Sequence, residues 1–305
     1  MKRTVLAAAL IFTILFGSGA AHAAYTYTTL SGPSGAASMQ VEGIGGNNVV
    51  GYYRTSTTGP DNGFVYNIST GAYTTVNVPG ATYTDAYGVS GNGYVVGNSG
   101  TGAFLYNGSN YTALSTPGVT LSRVNGTDGS TVVGNSSNSA AFVYNISTNA
   151  YSYLSGPSGA IWSGANGISG SNVVGNWYPS SYKYQGFLYN GSTYTTLSVP
   201  GATGTYAEGI SGNEIAGYYN NNTTGYNGFL YNISTGTYTT FNVPGSTYTY
   251  LYGINANGDL VGTTHLSGQT YAFLATPAPV PIPAGILLLA PGLAGLAALR
   301  RKHIG

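Results

Sequence analysis

One short phrase returns six times along this chain: GFVYN from Gly63, GAFLYN from Gly102, AAFVYN from Ala140, GFLYN from Gly186 and again from Gly228, and YAFLA from Tyr271. Its phenylalanines (Phe64, Phe104, Phe142, Phe187, Phe229 and Phe273) are spaced 40, 38, 45, 42 and 44 residues apart. Ahead of each stands a second phrase, as in GIGGNNVVG from Gly43 and GISGNEIAG from Gly209. Behind most comes a third, TYTTL leading to a Pro-Gly pair. A period near forty with several short strands per unit points to a propeller, because one such unit cannot bury its apolar face alone.

Each unit divides into four strands. Strand b is the Gly-Ile segment, c the Val-Val-Gly segment, d the Phe-Leu-Tyr-Asn segment and a the Tyr-Thr-Thr-Leu segment. Turn-forming Ser-Gly-Asn, Asn-Gly-Ser or Asn-Ile-Ser-Thr-Gly separates them. The sixth b-c-d set ends near Leu274 with no strand a behind it, whereas one strand a, Tyr25 to Leu30, precedes the first set. That leading strand can pair with the last set and leave no open edge. The expectation is an all-β, six-bladed β-propeller over residues 24–277, closed by its N-terminal strand. The alternative is a β-solenoid, which the frequent tight turns disfavour because they imply antiparallel hairpins.

Both ends carry targeting features. Lys2 and Arg3 precede an apolar run from Val5 to Phe16, and Ala21-His22-Ala23 offers small residues at the positions a signal peptidase reads. Residues 1–23 therefore read as a signal peptide cleaved between Ala23 and Ala24, with an uncut anchor as the alternative. At the other end Ala284 to Leu299 is uncharged and stops at Arg300, Arg301 and Lys302, an apolar span closed by a basic cluster. As a transmembrane helix, 284–299 reaches only about 24 Å and contains Pro291. It is either a marginal permanent anchor or a transient sorting signal.

The stretch VPIPAGILLLAPGLAGLAALRRKH, with Pro281 and Pro283 at its head, resembles the PEP-CTERM tails of bacterial surface proteins. Ile282 stands where such tails usually carry glutamate. The resemblance implies that residues 278–305 insert transiently in the membrane and are removed by an exosortase-type membrane protease. It also implies a Gram-negative source and placement on the cell surface or in a biofilm matrix. The repeats resemble the extracellular HAF family, named for a His-Ala-Phe motif. The sixth unit is nearest, with Gly253-Ile254-Asn255, Asn257 to Gly262, and Tyr271-Ala272-Phe273, although no unit has the histidine directly before Ala-Phe. That resemblance implies export and repetition, since the family has no established activity.

Composition narrows the function. Only 5% of the residues are charged, against 48 Gly and 29 Tyr. Outside the targeting segments Arg54, Arg123 and Lys183 face all 7 acids, a net of −4 for the repeat domain, so nucleic acid is not an expected partner. There are no cysteines, and stability must come from core burial. His265, the one histidine outside the targeting segments, cannot build a three-ligand metal site and is expected in a loop without a neighbouring acid. Glu42 and Glu208 share one repeat position but belong to units 1 and 5, with unit 6 between them, so they do not read as a catalytic pair. Glu214 and Asp259 start strand c beside a turn, where charges are ordinarily solvated. The repeated Asn-x-Ser/Thr triplets read as turn chemistry. The chain is read as having no enzyme activity, no metal and no cofactor.

Loop length suggests a binding face. From the glycine ending strand c to the Phe of strand d the units run 13, 7, 8, 12, 12 and 11 residues, so units 4, 5, 6 and 1 form one arc of long connections. Those connections hold Tyr53, Arg54, Tyr178, Lys183 and Tyr219, and Trp162 and Trp177 are expected to meet across the unit 4 hairpin at the same rim. Exposed aromatics beside amides and hydroxyls suit sugar faces and sugar hydroxyls. Two roles follow: a structural or interaction role at the surface, or an exopolysaccharide-binding, lectin-like propeller.

Overall fold

A computed structural model describes residues 25–115 and 121–278. The signal segment with its Ala23–Ala24 junction, and the tail with Pro281, Pro283, Arg300, Arg301 and Lys302, lie outside the described residues.

The described chain forms six four-stranded antiparallel sheets, each in the order b-c-d-a. The innermost strands b are Ser38–Gly45, Thr84–Val89, Leu121–Thr127, Trp162–Ser169, Gly204–Ser211 and Tyr248–Ile254. Each inner strand packs against the inner strands of the blades on either side, the sixth against the first, so the sheets close into a ring. In blade 6 the outer position is filled by Tyr25–Leu30, which pairs with Gln269–Pro277 from Tyr25↔Pro277 to Leu30↔Ala272. The chain is thus a six-bladed propeller, and its antiparallel hairpins rule out a solenoid.

The core lies between blades. Val50 of blade 1 packs with Ala86, Val89, Val95 and Phe104 of blade 2. Val133 of blade 3 packs with Ala165, Ile168, Val173 and Phe187 of blade 4, and the same arrangement continues around the ring. The repeated phenylalanine is the centrepiece: Phe64, Phe142, Phe187 and Phe229 are fully buried and Phe104 and Phe273 nearly so. Burying each such ring contributes about 1.5–3 kcal/mol. Tyrosines of strand a lie against it edge-on, as in Phe64–Tyr73 and Phe187–Tyr194 at 5.5 and 5.6 Å. Much of the tyrosine content is therefore structural.

The invariant glycine of strand c has a steric origin. A Cβ on Gly217 would press on the Phe229 ring at 2.9 Å and still closer on the Tyr206 carbonyl oxygen. The triplet asparagines fasten the d-to-a turns. Asn67, Asn107, Asn145, Asn190 and Asn232 each accept a backbone N–H two or three residues on through Oδ1.

Candidate functional site

Every inner strand is irregular at one shared place, and that of blade 3 slips a second time between Leu121 and Arg123. The ladder slips between Val41 and Gly43, Ala86 and Gly88, Val124 and Gly126, Ala165 and Gly167, Ala207 and Gly209, and Leu251 and Gly253. The residue skipped each time is a β-bulge, a device that re-aims a side chain. The following glycine permits close approach of the next blade: a Cβ on Gly88 would meet the Asn125 carbonyl at 2.6 Å. The six bulge residues are Glu42, Tyr87, Asn125, Asn166, Glu208 and Tyr252, and all six line one axial channel of about 740 Å³.

Two of these six are clamps. The Asn125 side chain donates to the Ala165 carbonyl at 2.7 Å, and Asn166 donates to the Ala207 carbonyl at 3.0 Å, tying blades 3, 4 and 5 together. The charged members stand apart from them. Arg123 reaches from blade 3 across blade 2, with its guanidinium 4.0 Å from the centre of the Tyr87 ring, and donates to Glu42 Oε2 of blade 1 at 3.0 Å. Glu42 keeps 16% of its side chain open to the channel. Burial pushes its carboxyl up to about 7, with Arg123 pulling the other way. Glu208 is likewise pushed up to about 7 by burial, while the Asn176 hydrogen bond and Arg123 oppose the shift. Among the described residues Asn176, donating at 3.1 Å, is the side chain hydrogen-bonded to Glu208. Asp85 sits on the same side of blade 2. One of its oxygens accepts from the Tyr87 hydroxyl at 3.1 Å and the other is buried without a partner. Burial raises its carboxyl as well.

Above the carboxylates the channel mouth turns aromatic on one side. Trp162 and Tyr178 stack at 5.4 Å, and Tyr184 lies against both. Tyr206 continues at 5.2 Å from Tyr184, Tyr218 at 4.7 Å from Tyr206, and Tyr250 at 4.8 Å from Tyr218. Tyr248 and His265 end the series, stacked at 5.1 Å. These rings are half-buried, and each shows part of its surface to solvent. Tyr182 is 69% exposed beside Tyr178. The belt spans blades 4, 5 and 6, on the face expected from loop length.

That length is used differently from expectation. In blade 5 strands c and d stay paired out to Asn221↔Gly225, and in blade 6 out to Leu266↔Gln269, so the extra residues lengthen hairpins and lift rings above the ring of blades. Ser267 and Gly268 close the latter with φ of 53° and 81°, the positive pair a tight hairpin turn requires. His265 is consequently in a strand and not in a loop.

Several expected site residues prove to be core. Trp162 pairs across the hairpin with Tyr178, whereas Trp177 stands opposite Ser163. Successive residues of a strand face opposite ways, so the two tryptophans cannot meet at the rim. Trp177 is 7% exposed and packs with Phe187 and Leu154, its Nε1 buried without a hydrogen-bond partner. Tyr53 and Tyr219, at the same strand position, are buried too, their hydroxyls bonded to Thr75 and Thr240. Arg54 makes a two-pronged pair with Asp61 at 2.6 and 2.9 Å within its own connection. Lys183 is exposed near the Tyr178–Tyr184 pair. Asp259, expected to be solvated, is 7% exposed and accepts from the Asn255 side chain at 2.8 Å. The separation of Glu42 from Glu208 by a whole blade also loses its force, because inner-strand residues converge on the axis. Both line the same channel, and the Glu42 charge adds to the burial that raises the proton affinity of Glu208. Among the described residues no three His, Cys, Asp or Glu gather as a metal-binding group.

No protein-family model matches the chain, and no curated protein matches it. Solved structures do. TolB from Acinetobacter baumannii superposes with a TM-score of 0.51 at 14% identity, covering 74% of this chain and 63% of that one. An acylaminoacyl peptidase from Pyrococcus horikoshii superposes with a TM-score of 0.50 at 10% identity, covering 79% of this chain and 46% of the peptidase. The chain thus spans about two thirds of the former and under half of the latter, and the likeness is one of fold.

Proposed function

We propose that this protein is an exported binding propeller of the cell surface or biofilm matrix, and that it holds a polysaccharide across the aromatic mouth of blades 4 to 6. The observation that carries this reading is the continuous belt from Trp162 to Tyr250, half-exposed and opening onto a polar channel. Flat aromatic faces stack on the apolar faces of sugar rings, and amides and hydroxyls nearby satisfy the sugar hydroxyls. Binding without turnover is favoured because the other two channel carboxylates are engaged, Glu42 by Arg123 and Asp128 by the backbone N–H groups of Ser130 and Thr131, so neither is free to share acid and base duties with Glu208. In this reading the N-terminal segment exports the chain, and the tail ending in Arg300, Arg301 and Lys302 is handled by an exosortase-type protease.

The test is retention of the purified protein on exopolysaccharide from the producing organism, with free-sugar competition. Saturable, competable retention that falls at least tenfold in a folded Trp162→Ala, Tyr184→Ala double variant is expected. Unchanged retention in that variant, or no retention by the unaltered protein, would overturn the reading. Sorting is tested separately. Deleting the residues after Pro283 should release the protein into the medium, and a truncated protein that stays cell-bound would remove the tail from the account.

A further inference from the structure

We infer that the channel beneath the aromatic mouth is built for a protonated amino sugar, with Glu208 as the group that receives its ammonium. This deepens the polysaccharide-binding reading and rests on it. Three observations lead there.

The first is the electrostatic balance of the lining. Glu42, Asp128 and Glu208 face the channel, and Arg123 is the one basic side chain among its described lining residues. That cation is already committed, hydrogen-bonded to Glu42 at 3.0 Å and seated over the Tyr87 ring. Glu208 is therefore left with a single amide donor, Asn176, on one of its two oxygens. An uronic acid or a phosphate-bearing sugar would be repelled by this lining. A neutral sugar would leave the carboxylate without a counter-charge in a setting where charge is poorly solvated. A cation fits, because an ammonium donates three hydrogen bonds and carries the missing charge.

The second is what surrounds Glu208. Tyr206, Tyr218 and Tyr252 line the same channel as Glu208, and burial raises all three hydroxyls with the Glu208 charge adding to it. Aromatic faces around a carboxylate form the setting in which ammonium groups are held, by attraction to the ring faces as well as to the anion. The third is geometry. Tyr206 and Tyr218 belong at once to this group and to the stacked belt at the mouth, at 4.7 Å from each other. A sugar ring lying on the belt would place a ring substituent toward Glu208. The channel, about 740 Å³, lies within the roughly 300–1,000 Å³ of small-ligand sites.

The experiment compares three probes by calorimetry on the purified protein: a glucosamine hexamer, its fully N-acetylated counterpart, and spermine, an amine without sugar faces. Glu208→Gln, Trp162→Ala and the unaltered protein are measured in parallel, with thermal unfolding confirming that each is folded. The expected result is that the glucosamine hexamer binds, that N-acetylation weakens it at least tenfold, and that Glu208→Gln weakens the glucosamine hexamer to the level of the acetylated one. Trp162→Ala should weaken both hexamers alike, since it acts on the sugar face and not on the charge. Equal binding of both hexamers, or no effect of Glu208→Gln, overturns the amino-sugar assignment and leaves the polysaccharide reading standing. Spermine binding as tightly as the hexamer, with no effect of Trp162→Ala, overturns both, because the site would then be a plain cation trap.

Discussion

Trp177 shows how far a single position in a strand can mislead. It is adjacent to Tyr178, one of the half-exposed rings of the mouth, yet it belongs to the core between blades 3 and 4. The pleat sends neighbouring side chains to opposite faces, and the packed face wants volume while the other wants a partner for each polar atom. Replacing Trp177 by Ala should cost about 3–5 kcal/mol in denaturant unfolding. Trp177→Phe should cost no more than about 1 kcal/mol, because it keeps most of the ring and removes a buried N–H without a partner. Tyr182→Ala, at a side chain 69% exposed, should stay within about 0.5 kcal/mol. A Trp177→Ala variant as stable as Tyr182→Ala would show that the residue is not core.

The strand that closes the ring is the element on which the architecture depends. Tyr25–Leu30 pairs along its whole length with the last strand and buries Leu30, while Tyr25 and Tyr27 pack on Phe241 of blade 5. It therefore joins the first strand of the domain to its last blade and covers the seam to the preceding one. Removing residues 25–30 should expose a strand edge and uncover Phe241, giving lower Tm, broader unfolding and concentration-dependent association. Unchanged unfolding of that deletion by calorimetry, with a monomeric elution profile, would contradict the role given to it. The bulged inner strands are the second element that matters, since each turns one repeat position toward the axis.

For the whole molecule, the channel carboxylates tie stability to pH. Burial raises Glu42 and Glu208 to about 7 from an ordinary 4.5. The folded state then holds protons that the unfolded state has released between those values, so the contribution of these two groups to stability is greatest below pH 4.5 and declines as pH rises toward 7. For these two groups, unfolding by urea should show lower stability at pH 8 than at pH 5. Glu208→Gln should flatten that dependence and be the more stable protein at pH 8, because a neutral amide replaces a buried charge. A variant that loses stability at pH 8 would mean that the Glu208 anion is well stabilised by its surroundings and the raised proton affinity is not real.

The chain alone determines the repeat, the number of blades, the closing strand and the asparagine turns, because each depends on spacing or on local backbone chemistry. The face with long connections was legible for the same reason. A glycine follows a variable residue at the bulge of each inner strand, but a glycine inside a strand pattern does not tell that the residue before it turns to the axis. Only the closed ring brings Glu42, Arg123 and Glu208, separated by 166 residues from first to last, into one channel. Only the pleat and register decide that Trp162 and Tyr178 face the mouth while Tyr53, Trp177 and Tyr219 face the core. Distance along the chain, and even distance around the ring, loses meaning where six inner strands converge, and it is there that tertiary structure makes a site out of residues with no local signal.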